Sequence, residues 1–210
     1  ANVGTHSVVV TASDGTATVS DTFVLTVTNT NDAPTVSSAI SDASTAEDAA
    51  YSTDISGNFA DVDSGTTLTY SATGMPSTLT MSTAGVLSGT PVNANVGTHS
   101  VVVTASDGTA TVSDTFVLTV INTNDAPVIS STAVTSVNED AAYAYTTTAS
   151  DDDGETVTLT CTTVPSWMSC TSGALTGTPV NANVGTHSVV ITASDGTASV
   201  TDSFTVTVVN

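Results

Sequence analysis

Apolar and polar residues alternate in several short stretches of this chain. In residues 22–28, Phe23, Leu25 and Val27 are apolar, whereas positions 22, 26 and 28 are threonine. A period of two places successive side chains on opposite faces of a β-strand. The stretch therefore predicts a strand with one face on a core and the other toward solvent.

Further runs of the same kind fill the rest of the chain. Residues 6–12 precede the first strand and are separated from it by Ser-Asp-Gly-Thr at 13–16, where Asp-Gly favours the tight turn of a hairpin. Other runs lie at 50–55, 66–72, 79–81 and 86–88, between Gly, Pro, Asp and Ser residues. Helical spacing is absent at useful length. Short strands with turn signals about every 8–12 residues predict an all-β fold made of β-sandwiches.

The chain is also a tandem repeat. The sequence of residues 3–27 recurs unchanged at 96–120 and with a few changes at 184–208. The copies begin 93 and then 88 residues apart, a spacing that fits small domains better than a solenoid. We predict the second half of a repeat at 1–31 and complete repeats at 32–124 and 125–210. The chain is expected to be a segment of a longer protein, and the half repeat needs a neighbouring chain or segment to cover its apolar face.

Charge limits the possible partners. The chain has no lysine or arginine and 20 acidic residues, for a formal net charge of −20. Without cationic side chains it cannot neutralise phosphate, which excludes nucleic acid and anionic membrane surfaces. No apolar run reaches the roughly 20 residues of a membrane span, so membrane insertion is not expected. Self-repulsion on this scale requires relief by cations.

Four acidic motifs recur in the same order in both full repeats. They are Asn-Thr-Asn-Asp-Ala-Pro at 29–34 and 122–127, Glu-Asp at 47–48 and 139–140, Asp-x-Asp at 61–63 and 151–153, and Thr-Ala-Ser-Asp-Gly at 104–108 and 192–196. This set resembles the linker and acidic loops of cadherins and, more closely, of bacterial cadherin-like and dystroglycan-type repeats. The resemblance implies tandem Ig/cadherin-like β-sandwich domains in a linear array, in an extracellular, cell-surface or secreted protein.

The same resemblance implies Ca²⁺ at the repeat junctions, because carboxylate, amide and carbonyl oxygens are the ligands that this ion prefers. The first predicted set is Asn29, Asn31, Asp32, Asp61, Asp63 and Asp107. The second is Glu47, Asn122, Asn124, Asp125, Asp151, Asp153 and Asp195. Asn29 and Asn122 stand where cadherins have an aspartate, and the cadherin Leu-Asp-Arg-Glu motif is missing, so fewer than the three ions of that family are expected. Asp and Asn are also the commonest turn residues, which is the alternative explanation.

Two cysteines occur only in the last repeat. Cys161 and Cys170 lie nine residues apart on predicted successive strands, where the preceding repeat has Ala72 and Met81. The spacing suggests a local disulfide, with two free buried thiols as the alternative, and an extracellular setting favours the bridge. Trp167, between the two cysteines, is either a platform for a sugar ring or a core residue.

The predicted function is structural. His6, His99 and His187 each precede a serine and lie some eight residues before an aspartate, so a hydrolytic triad can be drawn. Because this pattern recurs in every repeat, we expect each histidine to bond a nearby backbone carbonyl, and we predict no catalysis. The chain is predicted to be an extracellular calcium-rigidified stalk, adhesin or filament segment.

Its predicted partners are neighbouring repeats or identical chains, with cell-surface polysaccharide or protein as a further possibility. The alternative function is a carbohydrate-binding cadherin-like module, against which the aromatic content of only 4% argues.

Overall fold

The alternating stretches form β-strands in the computed structural model, which describes residues 2–210. The chain divides into two units, Ala1–Ile121 and Asn122–Asn210. Unit 1 contains β1 (Gly4–Ser13), β2 (Thr18–Val27), β3 (Thr35–Val36), β4 (Ala43–Ala46), β5 (Tyr51–Asp54), β6 (Phe59–Ala60), β7 (Thr69–Thr73), β8 (Leu79–Met81), β9 (Val86–Gly89), β10 (Gly97–Ser106) and β11 (Thr111–Ile121). Unit 2 contains β12 (Val128–Ile129), β13 (Ser136–Asn138), β14 (Tyr143–Thr146), β15 (Ala149–Ser150), β16 (Thr158–Thr163), β17 (Met168–Thr171), β18 (Ala174–Gly177), β19 (Gly185–Ser194) and β20 (Ser199–Val209).

Helical structure in residues 2–210 is limited to three short 3-10 turns. They are Ser56–Asn58, Asn93–Asn95 and Asn181–Asn183. This agrees with the absence of helical spacing in the sequence. Together with the strands, it confirms the predicted all-β class.

The first strands form the predicted hairpin. β1 and β2 pair antiparallel along their whole length, from Gly4 opposite Val27 to Ser13 opposite Thr18. In the turn, Asp14 Oδ1 accepts the backbone N–H groups of Thr16 and Ala17, each at 2.8 Å. Gly15 has φ +94°, a left-handed conformation that glycine adopts without steric cost.

Unit 1 also contains a complete β-sandwich. One sheet has the order β4-β11-β10-β7 and the other β5-β9-β8, and a short β3-β6 ladder lies beside them. β4 runs parallel to β11, whereas the other pairs are antiparallel. Leu118 and Val101 from the first sheet pack in one buried cluster with Leu79 and Leu87 from the second. The two sheets therefore share a single core.

Unit 2 repeats this plan. Its sheets have the orders β13-β20-β19-β16 and β14-β18-β17, with a short β12-β15 ladder. Val189, Ile191 and Val206 pack with Tyr143 and Leu175 in its core.

A disulfide joins Cys161 on β16 to Cys170 on β17. Because these strands belong to opposite sheets of the sandwich, the bridge ties the two layers of unit 2 together. Unit 1 has no such cross-link in its described residues, and Ala72 and Met81 pack against its core instead.

Candidate metal centre

In unit 1 the linker after β2 is attached to two acidic loops. The Asn29 side-chain amide donates to Asp63 Oδ1 at 2.9 Å, and the backbone N–H of Asp32 donates to Asp63 Oδ2 at 2.8 Å. The Asn31 amide donates to Asp107 Oδ2 at 2.9 Å. These contacts bring together five of the six residues in the first predicted set.

Local turn chemistry positions the two loops. Asp61 Oδ1 accepts the backbone N–H of Asp63 at 2.8 Å, which is the Asx turn expected of an aspartate two residues earlier. Asp107 Oδ1 accepts the backbone N–H groups of Thr109 and Ala110, each at 2.6 Å. The second oxygen of Asp107 is therefore left to face the linker.

Asp107 carries a stabilised negative charge. The backbone N–H of Ala110 is the main cause that lowers its pKa, and the Asn31 amide and the backbone N–H of Thr109 lower it further. Since no lysine or arginine exists in the chain, this charge has no side-chain counterion apart from histidine. The site is strongly electronegative.

Unit 2 builds the same arrangement from equivalent residues. The Asn124 amide donates to Asp195 Oδ2 at 3.0 Å, and the backbone N–H of Asp125 donates to Asp153 Oδ2 at 2.7 Å. Asp153 N–H donates to Asp151 Oδ1 at 2.9 Å. The backbone N–H of Ala198 is the main cause that lowers the pKa of Asp195. Asn122 lies exposed at the start of the same linker.

In the Asp-x-Asp loop of each unit, one carboxylate oxygen is buried without a hydrogen bond from the described residues. These atoms are Asp61 Oδ2 and Asp151 Oδ2, the second oxygens of the aspartates that open the Asp-x-Asp loops. A buried polar atom without a partner is costly, and a buried carboxylate oxygen more so. A cation bound in each unit would satisfy the oxygen of that unit.

The structure adds a residue that the sequence prediction missed. Oxygens of Asp151, Glu155 and Asp195 all lie within 4.8 Å of one another. Desolvation is the first cause that raises the pKa of Glu155, followed by repulsion from Asp195, Asp151 and Asp153. The signal was the run of acids at 151–155, whereas unit 1 has Ser-Gly-Thr-Thr at 64–67. The Asp-x-Asp loop of unit 2 therefore carries more acidic groups than the equivalent loop of unit 1.

Glu47 lies beside the end of β11, at the opposite end of that strand from the turn that contains Asp107. Only 1% of it is exposed, and its backbone N–H donates to the carbonyl of Ile121, the last residue of β11, at 2.9 Å. Glu139 makes the equivalent backbone bond to Val209 in unit 2 at 2.8 Å. The assignment of Glu47 to the second predicted set remains a prediction.

The histidines have the structural role that the repeat pattern suggested. Nε2 of His6, His99 and His187 lies 2.7 Å from the backbone carbonyl oxygen of Asn2, Asn95 and Asn183, respectively. A carbonyl oxygen can only accept, so Nε2 carries the proton and donates it.

Trp167 belongs to the core of unit 2. Its ring packs edge-on against Tyr143, with centroids 5.9 Å apart, and against His187 at 5.8 Å. It packs against the buried cluster of that unit. This packing fits the core interpretation of Trp167 and not that of an exposed sugar platform.

Sandwiches in tandem, each preceded by a linker that meets acidic loops, define a protein of Ig-like, cadherin-like repeats. A family model described as "Putative Ig domain" (He_PIG) matches residues 33–121 and 126–209. Because these matches include most of the sequence, the chain belongs to that family. A search of curated proteins gave no match.

One solved structure supports this fold, and two others show similarity to the chain. The PcdhgB3 EC1-4 structure is 18% identical with a TM-score of 0.50, over 98% of this chain and 57% of that one. Human protocadherin-24 EC1-2 is 19% identical with a TM-score of 0.41, over 72% and 86% of the two chains. An endo-fucoidan hydrolase from glycoside hydrolase family 107, MfFcnA4_H294Q, is 26% identical with a TM-score of 0.45, over 99% of this chain and 34% of its own. The present chain thus spans about a third of that hydrolase. No helix in residues 2–210 has the length and hydropathy needed to cross a membrane.

Proposed function

We propose that this chain is an extracellular structural repeat segment in which Ca²⁺ holds each linker against the acidic loops of the repeat that follows. The observation that carries the proposal is the pair of buried, unsatisfied oxygens, Asp61 Oδ2 and Asp151 Oδ2. Each lies in a group of carboxylates in a chain without lysine or arginine. A cation from solution is the partner that such oxygens lack.

The available donors fit a hard divalent cation. In unit 1 we assign the site to Asn29, Asn31, Asp32, Asp61, Asp63 and Asp107. In unit 2 we assign it to Asn122, Asn124, Asp125, Asp151, Asp153 and Asp195, with Glu155 added. All offer oxygen, which Ca²⁺ prefers, and none offers sulfur or imidazole. A half turn of the Asn31 or Asn124 amide would exchange its nitrogen for its oxygen toward the carboxylates.

Bound calcium would act mechanically. The linker is already attached by hydrogen bonds of 2.7 to 3.0 Å, but these bonds gather several negative groups in one place. The ion supplies the positive charge that offsets this repulsion, so the linker becomes a fixed joint. In the repeats we propose, at 32–124 and 125–210 after a half repeat at 1–31, each joint would transmit tension to the next.

The setting and partners follow from the same features. A disulfide that joins two sheets is typical of an oxidising compartment, which supports an extracellular location. The partners we propose are neighbouring repeats or identical chains. The carbohydrate-binding alternative gains no support from the one tryptophan, since it packs in the core.

A calorimetric Ca²⁺ titration tests the proposal with the matched variants Asp63→Ala and Asp153→Ala. Each should remove binding in its own unit and leave the other unit unchanged, because the two aspartates hold equivalent places in separate units. Asp14→Ala is the control, because Asp14 makes only turn hydrogen bonds and its substitution removes the same charge. Calcium should also raise the melting temperature of the wild type and chelator should lower it.

Two results would overturn the calcium proposal. One is a melting temperature that does not respond to calcium or chelator in moderate salt. The other is an equal loss of calcium binding in Asp14→Ala and in the two site variants, which would point to a diffuse charge effect.

A further inference from the structure

One 25-residue sequence has two different surroundings in unit 1. The β1-β2 hairpin, at residues 3–27, and the β10-β11 hairpin, at residues 96–120, have the same sequence. In β10-β11, Val103, Phe116 and Leu118 are 0%, 2% and 0% exposed. Their equivalents Val10, Phe23 and Leu25 are 56%, 48% and 48% exposed. We call the face that contains Val10, Phe23 and Leu25 the β1-β2 face.

The second hairpin shows what covers such a face. β4 adds to β11 in parallel, from Leu118 opposite Ala43 to Ile121 opposite Ala46. β7 adds to β10 antiparallel, from Val102 opposite Thr73 to Ser106 opposite Thr69. The β5-β9-β8 sheet then supplies Leu79 and Leu87 to the shared core. All these strands come from the first half of the repeat.

Polar groups on the hairpin are matched to the same segment. Asp114 Oδ2 accepts the backbone N–H of Ile40 at 2.7 Å, and the backbone N–H of Val117 donates to Asp42 Oδ1 at 2.7 Å. In the first hairpin, Asp21 stands in the place of Asp114. It holds the same local bond, since Oδ1 accepts the next backbone N–H at 2.9 Å in both copies. The β1-β2 face therefore has its acceptor already placed.

We propose that the β1-β2 face binds the first half of a repeat of this kind, a polypeptide with the sequence pattern of residues 33–95. Such a segment would cover the apolar side chains, pair with both strand edges and satisfy Asp21. An isolated two-stranded hairpin is marginally stable in water, so completion of the sandwich has a strong driving force. Two hairpins of identical chains would instead bring two Asp21 carboxylates to one interface and leave the outer edges unpaired.

The test titrates a fluorescently labelled synthetic polypeptide of residues 33–95 into the 210-residue chain. Two adjacent substitutions serve as a matched pair. Leu25→Asp places a charge on the β1-β2 face, because the equivalent Leu118 is fully buried. Val24→Asp places the same charge on the other face, because the equivalent Val117 is 38% exposed.

The wild type and Val24→Asp should bind one polypeptide with affinities that agree within about twofold. Leu25→Asp should bind at least about tenfold more weakly, since one large apolar side chain is lost from the interface. Leu87→Asp in the polypeptide should have a similar effect, because Leu87 is completely buried in the sandwich. Fluorescence of Trp167 reports that unit 2 stays folded in every variant.

Three outcomes would overturn the proposal. The first is no saturable binding to the wild type. The second is equal binding by Leu25→Asp and the wild type, which would mean that the polypeptide exchanges into the second hairpin. The third is self-association of the chain that Leu25→Asp abolishes and the polypeptide does not compete away, which would assign the face to a second copy.

Discussion

Replacement of the disulfide should lower the stability of unit 2 alone. The double variant Cys161→Ala with Cys170→Met gives unit 2 the residues that unit 1 has at Ala72 and Met81. These residues pack in the unit 1 core, so the substitution follows a solution that the fold already uses. The loss is therefore dominated by the cross-link and not by a cavity.

The magnitude follows from the small size of the loop. The two cysteines are separated by 9 residues. Closing such a loop removes chain entropy worth about 2.6 kcal/mol at room temperature in the loop-closure model. For a domain of this size, about 4–8 °C of melting temperature corresponds to each kcal/mol, so the unit 2 transition should fall by roughly 10–20 °C.

Trp167 makes the assay specific. It is the one tryptophan of the chain and packs against Tyr143 and His187 in unit 2. Its fluorescence during thermal unfolding therefore follows unit 2, whereas far-UV circular dichroism follows both units. Wild type in reductant should match the double variant, and the double variant should not respond to reductant. An unchanged tryptophan transition, or an equal shift of unit 1, would refute the reasoning.

Further substitutions and conditions test the acidic sites and the backbone. Glu155→Gln should raise the stability of unit 2 in chelator, because it removes the repulsion of Glu155 by Asp151 and Asp195. It should also reduce the rise in melting temperature that calcium produces. A lower stability in chelator would contradict repulsion among these carboxylates. Without calcium, the lowered pKa of Asp107 contributes stability to unit 1 that is present above about pH 4 and is lost as pH falls through the folded-state pKa. The urea midpoint of unit 1 should therefore drop on acidification, and Asp107→Asn should make that drop smaller. Gly89→Ala should destabilise unit 1 by a few kcal/mol and leave the Trp167 transition unchanged. The reason is that Gly89 has φ +154° and a Cβ there would clash with the Thr78 carbonyl oxygen. An unchanged unit 1 melting temperature would show that the backbone relaxes.

The alternation of the sequence predicts the long strands well. Phe23, Leu25 and Val27 indicate β2, and their copies in β11 point into the core. The short strands β3 and β6 have two residues each, so they contain no alternation to detect. They form because the chain on either side is already fixed by the larger sheets, which is a tertiary effect.

The candidate sites needed more than local pattern. The contacts of Asn31 with Asp107 and of Asn124 with Asp195 join residues 76 and 71 positions apart. The periodicity of the sequence does not predict such contacts. Only the resemblance to cadherins assigned these residues to the same predicted site. Glu155 was missed because that resemblance supplied an Asp-x-Asp pattern and the residue lies just beyond it. The ligand assignments themselves stay predictions.

The exact repetition of the hairpin has a consequence for how the chain folds. Residues 33–95 are flanked by two hairpins of identical sequence, so contact energy alone does not distinguish β1-β2 from β10-β11 as their partner. In this structure they pair with β10-β11, to which residues 90–96 connect them through the loop from β9 to β10. During synthesis, however, β1-β2 emerges first. Near-identical neighbouring repeats are prone to misassembly of this kind, and the landscape of this chain contains a built-in competitor to its native pairing.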